Sequence, residues 1–511
     1  MQSVHRRAVL IGRAFALALV ASLIFVPNAT AQLEQKLDAL EDALGAIYDG
    51  QPATLEECIR AAEVGSVTLG RFEEDVLTAI TGKRAALMQW LPNLSANFNY
   101  QKSKRTELDQ TVFDTQNVLA PVTFLDANGD PLPLTIGGED AFFETTVPIE
   151  GSERSEDISI DQTFESYSAS SNITLFNGLD RIGEMRQANA NLNAAEATLT
   201  YQRDVLRESV VNAYYDYIRA DRRVEVALEA ERLAEQELER SETYFDLGIS
   251  TRSEVLQAKV LVQQRKLDIV RERSTRRNAF LALAHSMNIP GARPFEVVDD
   301  LPSVESLQVP DVEELLDAAR MQRLDLVATQ FNLDASEAGV TRARSGYWPS
   351  IQAFVQYSRS VSETPQSLRL GGRENESISY GVQGQWNIFD RWRTQQQTRN
   401  AVAARRRAEY DLRQRQLDIE LEVVNLWNNL NEAVESYQVS VVSVEQSRED
   451  MRLAEERFRV GAGTALDVIT AQVNLAQAQR DLVDSQVNAI KFDRQLQRAV
   501  GATALALVDE E

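Results

Sequence analysis

Short stretches in which apolar and polar residues alternate occur four times in the chain. Apolar residues predominate at every second position of residues 351–357 and 378–388, and the same phase recurs in residues 94–100 and 167–175. About ten residues of such alternation are typical of a transmembrane β-strand, although a soluble β-sandwich gives the same pattern. Four strands cannot close a barrel, and an open sheet edge cannot face lipid. If these strands cross a membrane, several copies of the chain must therefore combine them.

Two much longer stretches have the composition of helices. Residues 179–246 contain no proline and only Gly183 as a glycine, residues 392–460 contain neither, and both are rich in Ala, Glu, Arg, Gln and Leu. At 1.5 Å per residue each helix would be about 100 Å long, which exceeds the size of a compact domain. We therefore predict coiled-coil-like rods, each followed by a return helix over residues 251–288 or 464–500.

A glycine-bearing turn links each rod to its return helix. The first and second turns cover residues 247–251 and 460–464. Gly248 and Gly461 suit a helix end that needs a left-handed residue. Thr251 and Thr464 are suited to cap the helices that follow.

The chain is an internal duplication. Residues 54–92 align without a gap on residues 311–349, and residues 163–289 align in the same way on residues 376–502. The first copy is longer because residues 101–160 contain an insertion rich in turn residues, which predicts a surface loop that we expect to be extracellular. The predicted organisation is a signal peptide (1–31), an extra segment (32–53), a first repeat (54–300) and a second repeat (301–511).

The N-terminus predicts export. Basic residues up to Arg13 precede an apolar run from Ala14 to Val26 and a small-residue site ending at Ala31, which is the pattern of a cleaved secretory signal peptide. A membrane anchor is the alternative, but the apolar run is short for a bilayer-spanning helix. The one cysteine, Cys58, aligns with an apolar leucine in the second copy, which favours a buried residue over a reactive thiol.

Charge and residue types exclude several kinds of function. The formal net charge of -24 makes nucleic acid an unlikely partner, because phosphate binding needs a basic surface. Only His5 and His285 occur, so one exported chain cannot assemble a histidine-based metal site or catalytic triad. We find no glycine-rich phosphate loop, and the many carboxylates are scattered along predicted helices with Arg and Lys. No enzymatic activity and no cofactor are expected, and a carboxylate-pair hydrolase ranks far below the other hypotheses.

The sequence resembles the TolC-like outer-membrane efflux proteins from about Thr54 to Gly501. The resemblance rests on the duplicated order of helix, strand, strand, long helix and return helix, and on paired motifs in register. These motifs are Trp90-Leu91-Pro92 with Trp348-Pro349, Leu175-Phe176-Asn177-Gly178 with Ile388-Phe389-Asp390, and the run from Val460 to Val468.

The resemblance implies a mainly α fold with a small β part. Three chains, each with four strands, would form a twelve-stranded β-barrel in the outer membrane of a Gram-negative bacterium, continued by a long periplasmic α-helical barrel. The protein would then be a homotrimeric exit duct of a tripartite efflux or type I secretion system. Its partners would be outer-membrane lipid, a periplasmic adaptor and an inner-membrane RND or ABC pump that supplies the energy.

The same resemblance suggests residues at the periplasmic tip. Asp467 matches an aspartate that lines the tip constriction in the family, Glu254 holds the equivalent place in the first copy, and acidic rings in a narrow pore attract cations. The alternative is that both are solvated acids in a first helical turn, where the helix dipole favours them. This sequence departs from the family pattern at Thr470, Gly463 and Phe458, which replace an aspartate, an arginine and a tyrosine of the closing network.

Further tip residues follow from the turns. Arg252 is a candidate to pair with an acidic neighbour in place of the missing arginine. The expected adaptor contacts are the turn residues Leu247, Gly248, Thr251, Val460, Gly461, Gly463 and Thr464. The competing hypothesis for the whole chain is a periplasmic coiled-coil or adhesin stalk without a pore.

Overall fold

A computed structural model describes most of the chain after the predicted signal peptide. It covers residues 52–112, 115–121, 123–125, 131–136, 138–149, 154–289, 294–307, 309–363 and 373–501, with residues 38, 39, 41, 42, 45, 47 and 48. The predicted signal peptide and most of the extra segment 32–53 lie outside the described residues. Within that segment, Ile47 is buried in a core of the helical unit.

The described residues form two compact units. The helical unit comprises described residues up to 86, 182–343 and 395–501, and the strand unit comprises residues 87–181 and 344–394. The helices are α1 (Leu55–Gly65), α2 (Val67–Met88), α3 (Asp180–Asp246), α4 (Arg252–Ser286), α5 (Val312–Gln322), α6 (Leu324–Arg344), α7 (Arg393–Arg459) and α8 (Ala465–Val500).

The two long rods are confirmed as single helices. Helices α3 and α7 are 67 residues each, and their bounds lie within one residue of the predicted ones. Helices α1 and α2 of the first repeat correspond to α5 and α6 of the second. No helix in the described part of the chain has the length and apolarity needed to cross a bilayer.

Four apolar cores stabilise the described part of the helical unit, and two of them contain eight or more buried residues. One joins α1, α3, α4 and α8 and contains Cys58, Tyr214 and Leu283. Burial raises the pKa of the Cys58 thiol to about 12, so this cysteine is a buried, protonated side chain, as the sequence predicted. The second core joins α5, α7 and α8 around Val423 and Leu430.

A buried ion cluster lies beside the second core. The Arg323 guanidinium donates two hydrogen bonds to Asp325, at 3.0 and 2.8 Å, and one to Glu422 at 2.7 Å. Arg415 of α7 also pairs with Asp325. Because the side chains of Arg323 and Asp325 are only 2% and 8% exposed, each charge depends on its partner for solvation.

The strand unit is built on one antiparallel sheet. Its strands are β1 (Asn93–Val112), β8 (Arg154–Asn177), β9 (Ser350–Glu363) and β10 (Arg373–Gln385), in the order β1-β8-β9-β10. The predicted alternation ran on to Ile388, but β10 ends at Gln385. The next residue, Trp386, donates its indole N–H to the Tyr347 carbonyl at 3.2 Å.

One face of this sheet is apolar across all four strands. Pairing places Phe98 beside Tyr167, with ring centroids 5.0 Å apart, and places Val355 beside Tyr380. These side chains are 63%, 45%, 52% and 80% exposed, respectively. The adjacent positions, which point to the other face, are mostly Asn, Ser and Gln. A single chain therefore leaves a continuous apolar sheet face uncovered.

The prediction of a loop for residues 101–160 is wrong over much of its length. Strand β1 continues to Val112 and pairs with β8 from Arg154. Between them, the residues that the structure describes form three two-stranded pieces. These are β2 (Thr115–Pro121) with β7 (Phe142–Pro148), β3 (Thr123–Leu125) with β4 (Pro131–Pro133), and β5 (Thr135–Ile136) with β6 (Glu139–Asp140).

Candidate functional site at the two helical turns

The first turn ends α3 with a left-handed glycine. Gly248 has φ +76°. Its N–H donates to the Phe245 carbonyl at 2.9 Å, while the N–H of Ile249 reaches back to the Tyr244 carbonyl at 2.8 Å. This pair of bonds is a Schellman motif, which satisfies the last helical carbonyls and reverses the chain. Gly248 therefore has the conformation that the sequence predicted.

The second turn repeats this geometry. Gly461 has φ +75°, and its N–H donates to the Phe458 carbonyl at 3.1 Å. The N–H of Ala462 donates to the Arg457 carbonyl at 2.8 Å. At Gly463 the backbone passes close to Arg457, since an added Cβ would lie 3.1 Å from the Arg457 Cβ. The duplicated sequence thus encodes the same helix-ending Schellman motif twice.

Glu254 belongs to the cap of α4. The Thr251 hydroxyl accepts from the Glu254 N–H at 3.3 Å, and the Glu254 carboxylate accepts from the Thr251 N–H at 2.9 Å, which forms a capping box. The Ser250 hydroxyl also donates to this carboxylate. The hydrogen bond from Ser250, followed by the one from Thr251, lowers the pKa of Glu254, so the side chain is ionised at neutral pH.

Asp467 has the same role at the start of α8. Its carboxylate accepts from both the N–H and the hydroxyl of Thr464, each at 2.8 Å, and its own N–H donates to that hydroxyl at 3.3 Å. The backbone hydrogen bond from Thr464 is the main cause that lowers the pKa of Asp467. Both threonines therefore cap their helices, as predicted. Within one chain, the contacts of Asp467 and Glu254 are those expected of first-turn acids.

The other predicted tip residues have separate environments. Thr470 is exposed and donates to the Leu466 carbonyl at 2.8 Å. Arg252 is exposed and forms no ion pair with any residue that the structure describes, so the suggested pairing with an acidic neighbour is absent within one chain. The apolar turn residues Leu247, Ile249 and Val460 are 66%, 72% and 71% exposed. Such side chains at a helix turn are available to a partner.

Phe458 lies in a cluster that sequence reasoning missed. We call Glu237, Arg240, Tyr244, Glu455 and Phe458 the Arg240 cluster. The Arg240 guanidinium lies 5.7 Å from the Phe458 ring centroid and 3.5 Å from the Glu455 carboxylate. The rings of Tyr244 and Phe458 are 5.6 Å apart. Arg240 and Tyr244 belong to α3, whereas Glu455 and Phe458 belong to α7. These contacts therefore join the two rods beside their turns.

A buried carboxylate anchors the Arg240 cluster. Glu237 has 0% exposure, pairs with Arg240 and accepts a hydrogen bond from the Ser241 hydroxyl. Burial raises the pKa of Glu237, and Arg240 and Ser241 oppose that effect. The spacing of Glu237 and Arg240 on one helical turn was visible in the sequence. The contact of Arg240 with α7 was not, because it depends on the register of the two rods.

The described residues include no group of three or more His, Cys, Asp or Glu side chains that could hold a metal ion. The family model of outer membrane efflux proteins matches residues 149–288 and 315–502. The chain belongs to the outer membrane efflux protein family. The two matched segments contain both long rods and both turns.

The relatives of this chain are distant in sequence, and a solved structure is similar to it in fold. Outer membrane protein TolC of Vibrio cholerae is 24% identical over 319 residues, which cover 62% of this chain and 70% of TolC. The pyoverdine export outer membrane protein OpmQ of Pseudomonas putida is 25% identical over 381 residues, or 72% and 78% of the two chains. The crystal structure of VceC from Vibrio cholerae has a TM-score of 0.65 at 17% identity, with 88% of this chain and 96% of VceC covered.

Proposed function

We propose that this outer membrane efflux protein is a homotrimeric, passive exit duct of a tripartite efflux or type I secretion system. The observation that carries the proposal is the four-stranded sheet with one apolar and one polar face. Its outer strands β1 and β10 have unpaired edges within one chain, and such edges cannot face lipid. Three copies provide twelve strands, with the apolar faces toward lipid and the polar faces toward a channel. No catalytic step is assigned to the chain.

The helical turns form the periplasmic end of the duct in this proposal. The exposed side chains of Leu247, Ile249 and Val460 provide apolar contacts for the hairpins of a periplasmic adaptor. Energy comes from an inner-membrane pump of the RND or ABC class, to which the adaptor is joined. OpmQ is named for export of pyoverdine, which supports an export role without identifying the cargo here.

Gating is proposed to act at the same end. Three copies of Asp467 and of Glu254 would bring six carboxylates around a narrow opening, and both side chains are ionised at neutral pH. Such rings favour cations over anions. The Arg240 cluster takes the place of the arginine and tyrosine that Gly463 and Phe458 replace, because it also ties one rod to the other.

Single-channel recording in a planar bilayer tests this function. We expect purified protein to give discrete cation-selective channels, and we expect Asp467→Asn with Glu254→Gln to reduce that selectivity. The matched control is Glu57→Gln, because Glu57 forms the same capping box with Thr54 at α1, away from the turns.

Two results would contradict the proposal in different ways. Folded, membrane-extracted protein that forms no channels favours a stalk without a pore. Channels whose selectivity changes equally in the control and in the double variant place the carboxylates of Asp467 and Glu254 outside the constriction.

A further inference from the structure

Four of the five tryptophans of the chain lie at one end of the strand unit. Ser350 begins β9 and pairs with Asn177 and Gln385, the last residues of β8 and β10, so the chain enters and leaves the sheet at this end. Between 44% and 65% of each side chain is exposed in these tryptophans, which are Trp90, Trp348, Trp386 and Trp392. Exposed indoles are typical of the boundary between lipid and water.

Three exposed arginines accompany these tryptophans. Arg344 precedes β9, and Arg391 and Arg393 follow β10. None of the three forms an ion pair with a residue that the structure describes. The neighbouring Asp390 is engaged within the chain, because its carboxylate accepts a hydrogen bond from the Thr394 N–H at 2.7 Å. We call Arg344, Trp386, Arg391, Trp392 and Arg393 the arginine collar.

A fourth arginine at this end serves the fold instead. Arg181 is only 7% exposed, its guanidinium lies 4.4 Å from the Trp90 ring centroid, and it donates to the Gln89 carbonyl at 3.3 Å. The arginines of the collar are exposed, so their charges are available to a partner outside the chain. In a chain of net charge -24, three such arginines beside exposed indoles indicate a partner with both anionic and apolar groups.

The internal duplication shows that the fold does not require the collar. In the first repeat, the counterparts of its three arginines are Leu87, Gly178 and Asp180. The first repeat therefore makes the same passage from strand to long helix with one acidic residue and none of these arginines. The collar belongs to the second repeat alone.

Arg391 has a backbone conformation that disfavours arginine. Its φ is +57°, and that of its counterpart Gly178 is +65°. Glycine adopts this left-handed region readily, whereas a residue with a Cβ is strained there. In the first repeat glycine is also needed for space, because a Cβ on Gly178 would lie 2.5 Å from the Ser345 carbonyl oxygen. The second repeat thus keeps an arginine where a glycine would relieve the backbone.

Arg393 opposes a second local preference. It is the first residue of α7, whose first turn contains no acidic residue, whereas α3 begins with Asp180. The helix dipole favours an anion and disfavours a cation at this position. Residues that conflict with local preferences without a compensating contact in the chain are expected at functional sites.

From these observations we infer that the arginine collar binds the headgroups of anionic phospholipids. Its guanidinium groups supply paired N–H donors that match phosphate oxygens, and its indoles lie at the level of the headgroups. The apolar sheet face continues from the collar along β10, where Val382 and Tyr380 are 66% and 80% exposed. Acyl chains therefore have an apolar surface beside the bound headgroups.

The inference deepens the proposed function, on which it rests for the presence of a bilayer around the sheet. The strands at the collar end join the long helices, which the proposed duct directs into the periplasm. The lipids are therefore those of the periplasmic leaflet. Because each chain carries one collar, a trimer has three separate sites rather than a continuous ring.

Electron paramagnetic resonance of spin-labelled lipids tests the collar. The full-length protein is placed in phosphatidylcholine vesicles with a trace of spin-labelled phosphatidylglycerol or phosphatidylcholine, and the fraction of label immobilised by the protein is compared. We expect phosphatidylglycerol to be preferred by about fivefold at low salt and the preference to fall at 1 M NaCl. Replacing the three arginines of the collar with glutamine should abolish the preference.

The matched control removes the same charge from α4. It replaces three exposed arginines with glutamine, namely Arg271, Arg273 and Arg277. The control should keep the preference of the wild-type protein. An equal loss in the control and in the collar variant overturns the inference, because removal of any positive charge would then be sufficient.

The result separates the collar from the duct. Wild-type protein that forms channels but immobilises both lipids equally overturns the collar and leaves the duct intact. Protein that prefers phosphatidylglycerol but forms no channels refutes the duct and supports the collar.

A second test gives the collar the residues of the first repeat. Arg391→Gly with Arg393→Asp should abolish the lipid preference without lowering the thermal midpoint of unfolding, because both changes suit the local backbone. Arg391→Lys with Arg393→Lys should retain a preference for phosphatidylglycerol. A thermal midpoint that falls together with the preference in the Gly and Asp variant shows that the arginines stabilise the fold, and it overturns the inference.

Discussion

In the proposed duct, the Arg240 cluster holds the helical tip closed, and a change at Arg240 gives the sharpest test of that role. The change is Arg240→Met, which keeps much of the side-chain length but removes the charge. It eliminates the ion pair with Glu455 and the stacking of the guanidinium on Phe458, and both of these join α3 to α7. The pair with Glu237 lies within α3, so its loss does not by itself separate the rods.

The expected effect follows from these contacts. The side chains of Arg240 and Glu455 are 26% and 37% exposed, so water screens their pairing, which contributes about 0.5 kcal/mol. The cation–π contact adds about 0.5–1 kcal/mol. Together they predict a loss of about 1–1.5 kcal/mol in the α3–α7 contact of each copy. A free energy of that size changes the ratio of closed to open tips by about 5–12-fold.

Glu237 adds a dependence on pH. Burial already raises the pKa of this carboxyl, and Arg240→Met removes the cation that opposes the effect. A carboxyl whose pKa is raised in the folded state is tolerated while protonated and becomes destabilising as the pH rises through that pKa. We therefore expect the variant to open more at pH 8 than at pH 5, while the wild-type protein changes less.

The assay is the open probability of single channels in a planar bilayer at both pH values. The matched control is Arg232→Met, because Arg232 pairs with Glu229 on α3 and forms no ion pair or side-chain hydrogen bond with the described residues of α7. Glu455→Gln should give a smaller increase in opening than Arg240→Met, since the contact with Phe458 remains. If Arg240→Met and Arg232→Met open the channel equally, or neither does, the Arg240 cluster does not hold the tip closed.

Four further predictions concern stability. Gly461→Ala is expected to lower the free energy of unfolding by about 1–2 kcal/mol, because φ is +75° and an added Cβ would find no atom to contact within 4 Å. Gly461→Asn should lower it less, which a comparison of thermal midpoints can measure. Thr464→Val should cost about 1 kcal/mol of cap stability. Hydrogen bonds from Thr464 lower the pKa of Asp467, so the stability that its carboxylate gives to the α8 cap should be complete above about pH 4 and be lost as the pH falls further. Hydrogen exchange at the second turn can measure this loss. Arg323→Met should lower the unfolding free energy by about 3–5 kcal/mol in chemical denaturation, because Asp325 is left buried beside Arg415 alone.

The sequence was most informative where structure is set locally. The rods could be predicted because residues 179–246 and 392–460 lack interrupting glycine and proline except at Gly183, so helix propensity is uniform along them. The turns could be predicted because a left-handed glycine and a capping threonine are requirements of the backbone. These requirements act within a few residues and leave direct signatures in the sequence.

The sequence was less informative where partners are distant. The strand content of residues 101–160 depends on the pairing of β1 with β8, for example Lys102 with Thr163, which no local pattern of the insertion indicates. Strand β10 ends before Trp386, whose indole N–H bonds to the carbonyl of Tyr347, a residue distant in the sequence. Arg240 resembles any other arginine of a solvated helix until the register of α3 against α7 brings it to Phe458.

The two repeats share their turns but differ in what holds the rods together. The position of Arg240 in the first repeat is occupied by Leu453 in the second, and Glu455 corresponds to Glu242. A contact between copies that repeated the geometry of the Arg240 cluster would therefore place a leucine beside a carboxylate, with no cation and no ion pair. A trimer would have three Arg240 clusters, each within one chain, rather than six. In the proposed trimer the Arg240 cluster therefore strengthens the tip within each copy and not between copies, and opening is expected to begin at the boundaries between them.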